Sequence, residues 1–265
     1  MLNIGLFGGD FQHAFSSTLW KKPSYFIWSK NRLQDISFFV DRAIEPNIGA
    51  PCPHKYGWIV ESRIIIPDVI EAVKTHYKEI SESYDYVFTH YKEIYDLADN
   101  FIYLPSHGYW IQEPRIYPKS KTVSLISSNK RMGPGHDFRL NWVDRLRDKV
   151  DIYGRGLKTM DRKEEALCDY MFSVTIENDQ YETYWTEKIL DCFVTGTIPV
   201  YHGAPDVSDY FNMNGIITLK DDFDPSELSI DLYLSMTDSM RDNFERASKY
   251  NIIEDIIFDR FLKDL

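Results

Sequence analysis

Two carboxylates, an amide and an ammonium fall within one short stretch, IENDQYETYWTEKILDCFVTGTIPVYHG, residues 176–203. Glu177 and Asn178 follow directly on the apolar run YMFSVTI, whose length predicts a buried strand. Glu187 and Lys188 stand at the start of an apolar-periodic segment, predicted to be a helix beginning near Tyr184 or Trp185. An ammonium in a first helical turn opposes the helix dipole, so Lys188 implies a negative partner. The first-turn N–H groups favour an anion at the same place. A diphosphate answers both. Glu187 cannot hold that anion, but a carboxylate there can accept hydrogen bonds from paired hydroxyls such as those of a ribose. Taken singly, each residue also reads as a solvated helix start or a strand-end carboxylate. Their joint placement favours one ligand carrying a diphosphate and a sugar.

Such groups need a frame that brings strand ends and helix starts together. Apolar strands are expected at LNIGLFGG, ISFFV, GWIVES, YDYVFT and NFIYLP, with helices at PDVIEAVKTHYKEIS and HYKEIYDLA between them. Pro67 suits the first turn of its helix, and Val69, Ile70, Val73, Tyr77 and Ile80 share one face. The stretch SHGYWIQEPRIYPKSK, residues 106–121, has no period and reads as an interdomain linker. Beyond it strands (TVSLIS, VDIYG, YMFSVTI, IPVYHG, GIITL) again alternate with helices. Strict β/α alternation predicts parallel βαβ units. The expectation is an α/β chain of two domains, residues 1–117 and 118–265, with the last helix able to return to the first domain. In open parallel sheets ligands bind beyond the carboxyl ends of the strands, where Glu177 and Asn178 stand.

Composition narrows the function. The chain has 265 residues and a net charge of −11, which argues against a nucleic-acid surface while leaving room for a pocket that takes one small anion. Cys52, Cys168 and Cys192 show no metal or disulfide spacing, and a reducing compartment is the simpler reading. The N-terminus lacks a signal-peptide pattern and no run reaches membrane-span length. The expected location is therefore cytoplasmic, as in a soluble enzyme of bacterial or viral type. IGLFGGDF lacks the G-x-G-x-x-G spacing of a dinucleotide site and reads as a turn after a first strand.

Several spaced motifs together resemble the donor-binding signature of the family 10 glycosyltransferases, the α-1,3/1,4-fucosyltransferases. They are Ile176-Glu177-Asn178, Tyr184-Trp185-Thr186-Glu187-Lys188, Gly196-Thr197-Ile198-Pro199-Val200 and Gly203-Ala204-Pro205. SLISSNKRMGPGHDFRLNWVDRL, VDIYGRG and LKDDFDPSEL bracket them in the family's order. The resemblance covers roughly residues 120–235. It implies a GT-B fold, two Rossmann-like domains facing a cleft, and inverting transfer of L-fucose from GDP-fucose to a glycan hydroxyl with no cofactor required. By motif position it implies that Ser128, Asn129 and Arg139 face the nucleotide and diphosphate. Asn178, Tyr184 and Lys188 would contact phosphates, Glu187 the ribose, Glu177 and Thr186 belong to the same donor motif, and Gly154 would permit close approach of a ligand after its strand. Another nucleotide sugar, a xylosyl donor for example, is the competing expectation within this class. A non-catalytic glycan- or nucleotide-binding module is the competing class.

An inverting transfer needs a base near the acceptor hydroxyl. In the resembled family that base is a Glu of the first domain. Glu61, at the end of YGWIVES, is the candidate, and a salt bridge with Arg63 is the competing reading. Asp10 and Glu45 are rivals for the role. Trp20, Tyr25, Phe26, Trp28, Tyr56, Trp58, Tyr109 and Trp110 offer aromatic faces for an acceptor glycan, although many such residues serve only as core. No metal ligand is expected. The histidines lack HxxxH or HxH spacing, and Asp224 in DDFDPSEL reads as a helix cap before Pro225.

Overall fold

The computed structural model describes residues 1–8, 15–18, 21–129, 131 and 133–265; Asp10, His13 and Trp20 lie outside the described residues. The chain divides into two compact units, Met1–Gly108 with Ile252–Leu265, and Tyr109–Asn251.

The first unit is built on six parallel strands: β1 (Leu2–Phe7), β2 (Phe26–Lys30), β3 (Ile36–Val40), β4 (His54–Ile59), β5 (Tyr86–Thr89) and β6 (Phe101–Tyr103). They lie in the order β2-β1-β3-β4-β5-β6. The sequence reading missed β2. It is an edge strand, so only part of it is buried and Ile27 is left 49% exposed, which blurs the apolar signal. β4 begins three residues before the expected strand and ends at Ile59, so Glu61 lies past the strand end. The single helix expected after Pro67 is two, α1 (Pro67–Thr75) and α2 (Tyr77–Ser83), broken at His76, whose φ of −109° and ψ of 22° leave the helical range. Val69, Ile70, Val73 and Ile80 are nevertheless buried as the apolar spacing requires. A short α3 (Lys92–Tyr95) precedes β6.

The second unit repeats the plan. Its strands are β7 (Lys121–Ile126), β8 (Asp151–Tyr153), β9 (Tyr170–Ile176), β10 (Ile198–His202) and β11 (Ile217–Thr218), in the order β11-β10-β9-β7-β8 and all parallel. Helices α4 (Pro134–Leu146), α5 (Glu164–Leu167) and α6 (Glu187–Phe193) connect them, and α7 (Ile230–Ser235) and α8 (Thr237–Ser248) follow. Every residue of β9 is buried, as a central strand covered on both faces demands. The strand order reverses between β7 and β9, because the chain leaves β7 for one side of the sheet and then returns to the other. That reversal opens a crevice at their carboxyl ends.

The boundary differs from the expected 117/118. Residues 109–117 belong to the second unit because their backbone is bonded into it. The N–H of Arg115 donates to Val194 O at 3.0 Å and that of Tyr117 to Thr195 O at 3.2 Å. Ile111 is fully buried in the second core. Lys119 adds a clamp, its ammonium donating to the carbonyls of Leu167, Cys168 and Thr195 and to Thr197 Oγ1. At the other end, α9 (Ile253–Ile257) and the turn after it place Ile253, Ile257 and Leu262 in the first core with Phe26, Phe38, Tyr56 and Phe88. Among the described residues no helix is long and apolar enough to cross a membrane.

Candidate functional site

A cavity of about 340 Å³ opens at the β7/β9 reversal in the second unit. Of the residues singled out in the sequence, Ser128, Arg139, Gly154, Asn178, Glu187 and Lys188 line it. Several local devices deliver them. Ser128 follows β7. Arg139 comes from the second turn of α4, where it is 5% exposed; its guanidinium donates to Ile176 O at 2.9 Å and to Asn178 Oδ1 at 2.7 Å. Burial lowers its pKa against the opposing pull of Glu177. Helix α4 can sit this close to β9 because residue 135 is glycine: a Cβ there would lie 1.9 Å from Asn178 O. Gly154 ends β8 at φ +135°, and a Cβ on it would lie 1.6 Å from Ser127 O. The missing Cβ thus lets Gly154 lie against the chain just past β7, and Gly154 also lines the cavity.

Helix α6 starts at Glu187, two to three residues later than expected, because Thr186 is its N-cap and accepts the N–H of Lys188 at 3.3 Å. Glu177 supports this start. Its carboxylate is 1% exposed, accepts Thr186 N–H at 2.9 Å and Thr186 Oγ1–H at 2.7 Å, and lies 3.3 Å from Lys188 Nζ. Glu177 and Thr186 are outside the cavity lining and act on it through the helix start and Lys188. Tyr184 is also outside the lining; it is buried and stacks on Tyr181 with ring centroids 4.6 Å apart. Asn129 is exposed and lies beside Gly156.

The cavity contains charges that the motifs did not mark. Lys163, just before α5, donates to Asp191 Oδ2 at 2.7 Å and to Glu187 Oε1 at 3.3 Å. Lys188 Nζ lies 3.5 Å from the same Glu187 oxygen. Burial works against the Lys163 charge, but the carboxylates of Asp191 and Glu187 outweigh it and raise its pKa. Asp191 is 1% exposed, and burial pushes its carboxyl up to about 6 against Lys163. Asp191 Oδ1 also accepts the N–H of Trp110 at 2.6 Å, and Lys163 Nζ stands 4.3 Å from the Trp110 ring centre. Trp110, expected on the acceptor side, lines this cavity in the second unit, as does His136. The one signal for Asp191 was its spacing: four residues after Glu187 it shares that residue's helix face. Nothing local marks Lys163. Two lysines and two arginines (Arg139 and Arg155) around one cavity, with Glu187 between the lysines and Asp191 beside Lys163, can hold an anion and a neighbouring diol.

Glu61 lies in the first unit, just past β4. Its backbone is tied from several sides. Asp41 Oδ1 accepts the N–H groups of Val60 at 2.9 Å and Glu61 at 3.4 Å, and Tyr91 OH donates to Glu61 O at 2.9 Å. His90, buried and with its pKa lowered to about 3 by burial and by His107, sits 3.2 Å from Val60 O. In the second unit Asp224 Oδ1 accepts Ser226 N–H at 3.0 Å and caps the turn Pro225–Glu227. Among the described residues no three His, Cys, Asp or Glu side chains are grouped to hold a metal.

A family profile described as Glycosyltransferase family 10 (fucosyltransferase) C-term matches residues 116–253, just over half of the chain. The α-(1,3)-fucosyltransferase FucT of Helicobacter pylori is 30% identical over 145 residues, 48% of this chain and 30% of that protein. The match therefore spans under a third of that relative's length. By fold the chain is similar to the crystal structure of an α1,3-fucosyltransferase with GDP, at TM-score 0.54 and 16% identity over 94% of this chain and 88% of that one. It is likewise similar to the structure of an α1,3-fucosyltransferase with GDP-fucose, at TM-score 0.52 and 17% identity over 94% and 88%. At these identities the likeness is one of fold. The profile match, laid over β7 to α8 and every charged residue of the cavity, shows that the chain belongs to glycosyltransferase family 10.

Proposed function

We propose that the protein transfers an L-fucosyl group from GDP-fucose to a hydroxyl of a glycan acceptor, with inversion at the transferred carbon. The carrying observation is the cavity at the β7/β9 reversal, where Arg139, Lys188 and Asn178 meet Glu187 within the family match. Similar folds are known with GDP and with GDP-fucose, which supports the same donor here. In this reading the diphosphate lies against Lys188, Arg139 and the Asn178 amide, and the ribose hydroxyls donate to Glu187. As the bond between sugar and diphosphate breaks, negative charge grows on the leaving phosphate. Fixed cations in a partly dry cavity stabilise that charge without having to reorient. Glu61 is the base of this reading, taking the acceptor hydroxyl's proton as its oxygen attacks. The clamped backbone around it fits the need for a held catalytic group.

The test is GDP release from GDP-fucose in the presence of a panel of glycan acceptors, run beside GDP-mannose, UDP-galactose and UDP-xylose, with and without EDTA. Turnover confined to GDP-fucose and unaltered by EDTA is expected, since the cavity's cations are placed to serve the leaving group. Turnover with a UDP-sugar alone would overturn the donor assignment. Loss of activity in EDTA restored by Mn²⁺ or Mg²⁺ would overturn metal independence. Binding of GDP-fucose without turnover by any acceptor would favour a binding module.

A further inference from the structure

The side chains of the cavity follow one another in a chain of contacts. Lys188 Nζ lies 3.5 Å from Glu187 Oε1, Lys163 Nζ lies 3.3 Å from the same oxygen, and Lys163 Nζ stands 4.3 Å from the Trp110 ring centre. All four residues line the cavity. A nucleoside diphosphate has its own sequence of groups: diphosphate, ribose, base. With Lys188 at the diphosphate and Glu187 at the ribose, the next side chain in the protein is an indole, and the next group in the ligand is a flat aromatic base. We propose that Trp110 is the stacking platform for the donor's nucleobase and that Asp191 and Lys163 are positioning residues that hold it there. This rests on the reading of the cavity as the donor site.

The platform is built to stay in place. Asp191 accepts the backbone N–H of Trp110 on one oxygen and the ammonium of Lys163 on the other. It projects from the same face of α6 as Glu187, one turn further on. A single short helix therefore sets the diphosphate cation, the ribose carboxylate and, through Asp191, the indole. Lys163 over the ring adds a cation–π contact, strongest when the ammonium is withdrawn from water, as here. Met160 and Leu167 line the same cavity and give a base an apolar surface. A sugar can also stack on an indole, so the acceptor is the rival occupant. The acceptor, however, must reach the carbon on the far side of the diphosphate from the ribose. Trp110 is joined to Lys188 through Glu187 and Lys163, which is the ribose side.

Calorimetry on the full chain with GDP and with inorganic pyrophosphate tests this, because pyrophosphate has no base. Base–aromatic stacking of ordinary strength predicts that Trp110→Ala weakens GDP by about tenfold to a hundredfold. Trp110→Phe keeps a ring and should stay within about threefold of wild type. Neither variant should change pyrophosphate affinity. GDP should also quench tryptophan emission of the wild type, and Trp110→Phe should remove that quench. Unchanged GDP affinity in Trp110→Ala overturns the platform, and a raised acceptor KM alongside it assigns the indole to the acceptor instead. Equal loss of GDP and pyrophosphate in Trp110→Ala also overturns it, since the indole would then act only as structure. Lys188→Ala separates the two levels. If it weakens both ligands while Trp110→Ala weakens neither, the donor site stands and the platform falls. Wild-type protein that binds neither ligand refutes the donor site itself.

Discussion

Lys188 is held by three oxygens, those of Thr186, Glu177 and Glu187, at 3.1, 3.3 and 3.5 Å. Its side chain is 23% exposed against 9% for Glu187 and 0% for Glu177, so its ammonium is the most open of the charges in that cluster. A charge-assisted contact in such a place is worth about 1.5–3 kcal/mol, so Lys188→Ala should weaken GDP at least about tenfold. Calorimetry of the folded variant checks this, and an unchanged affinity would remove Lys188 from the diphosphate site. Glu61 belongs to the other unit and makes the complementary case. Glu61→Gln keeps the shape but cannot take a proton. It should slow transfer by about 10² to 10⁴ and leave GDP affinity as it was. Rate and affinity measured on one preparation decide the matter, and a near-wild-type rate would strike Glu61 from the mechanism. The sequence named both residues. It named Trp110 only as an acceptor-side aromatic and did not name Lys163, because their contacts to Asp191 and Glu187 lie across 81 and 24 positions of chain.

At the scale of elements, the site depends on how closely strands and helix starts approach. Gly154 is the sharpest case. Its φ of +135° is one that side-chain-bearing residues avoid, and the missing Cβ would overlap a backbone carbonyl rather than a side chain that could turn away. Gly154→Ala must therefore shift β8 against β7 at the edge of the cavity. A loss of at least about 2 kcal/mol is expected in chemical denaturation, with weaker GDP binding in the fraction that remains folded. Wild-type stability would show that the strand ends can move apart freely. Apolar runs made β9 and α6 legible in the sequence, but the first residue of α6 was not. Its position was decided by the Glu177–Thr186 pair, two residues nine positions apart that only the folded loop brings together.

For the whole molecule, the chain crosses twice between its two units, after Gly108 and after Asn251. The last segment returns Ile253, Ile257 and Leu262 to the first core, and Glu254 Oε2 accepts the Ser17 Oγ–H there at 2.9 Å. Burying each such apolar side chain is worth about 1.5–3 kcal/mol. Deleting residues 252–265 should therefore cost the first unit most of its stability, while the second, which carries the cavity, retains it. Hydrogen exchange should show lost protection in β1–β6, and GDP binding should persist. Equal loss of protection in β7–β11 would show that the two units fold as one.

The sequence by itself determined the α/β class, the restart of the βα rhythm after residue 118 and the family, because strand and helix periodicity and short spaced motifs are local properties of the chain. It also selected Arg139, Asn178, Glu187 and Lys188, since a motif carries its residue types wherever the fold puts them. Only the tertiary structure decided which motif residues face the cavity and which stand behind it. Glu177 and Thr186 read like ligands and prove to be the support of a helix start, because a carboxylate with both oxygens engaged and 1% exposure has little left to offer a ligand. Trp110 read like an acceptor-side aromatic of the first domain and lines the cavity of the second unit, since backbone bonds tie its segment there. Burial and partnership depend on which distant segments meet, and no single stretch of sequence contains that information.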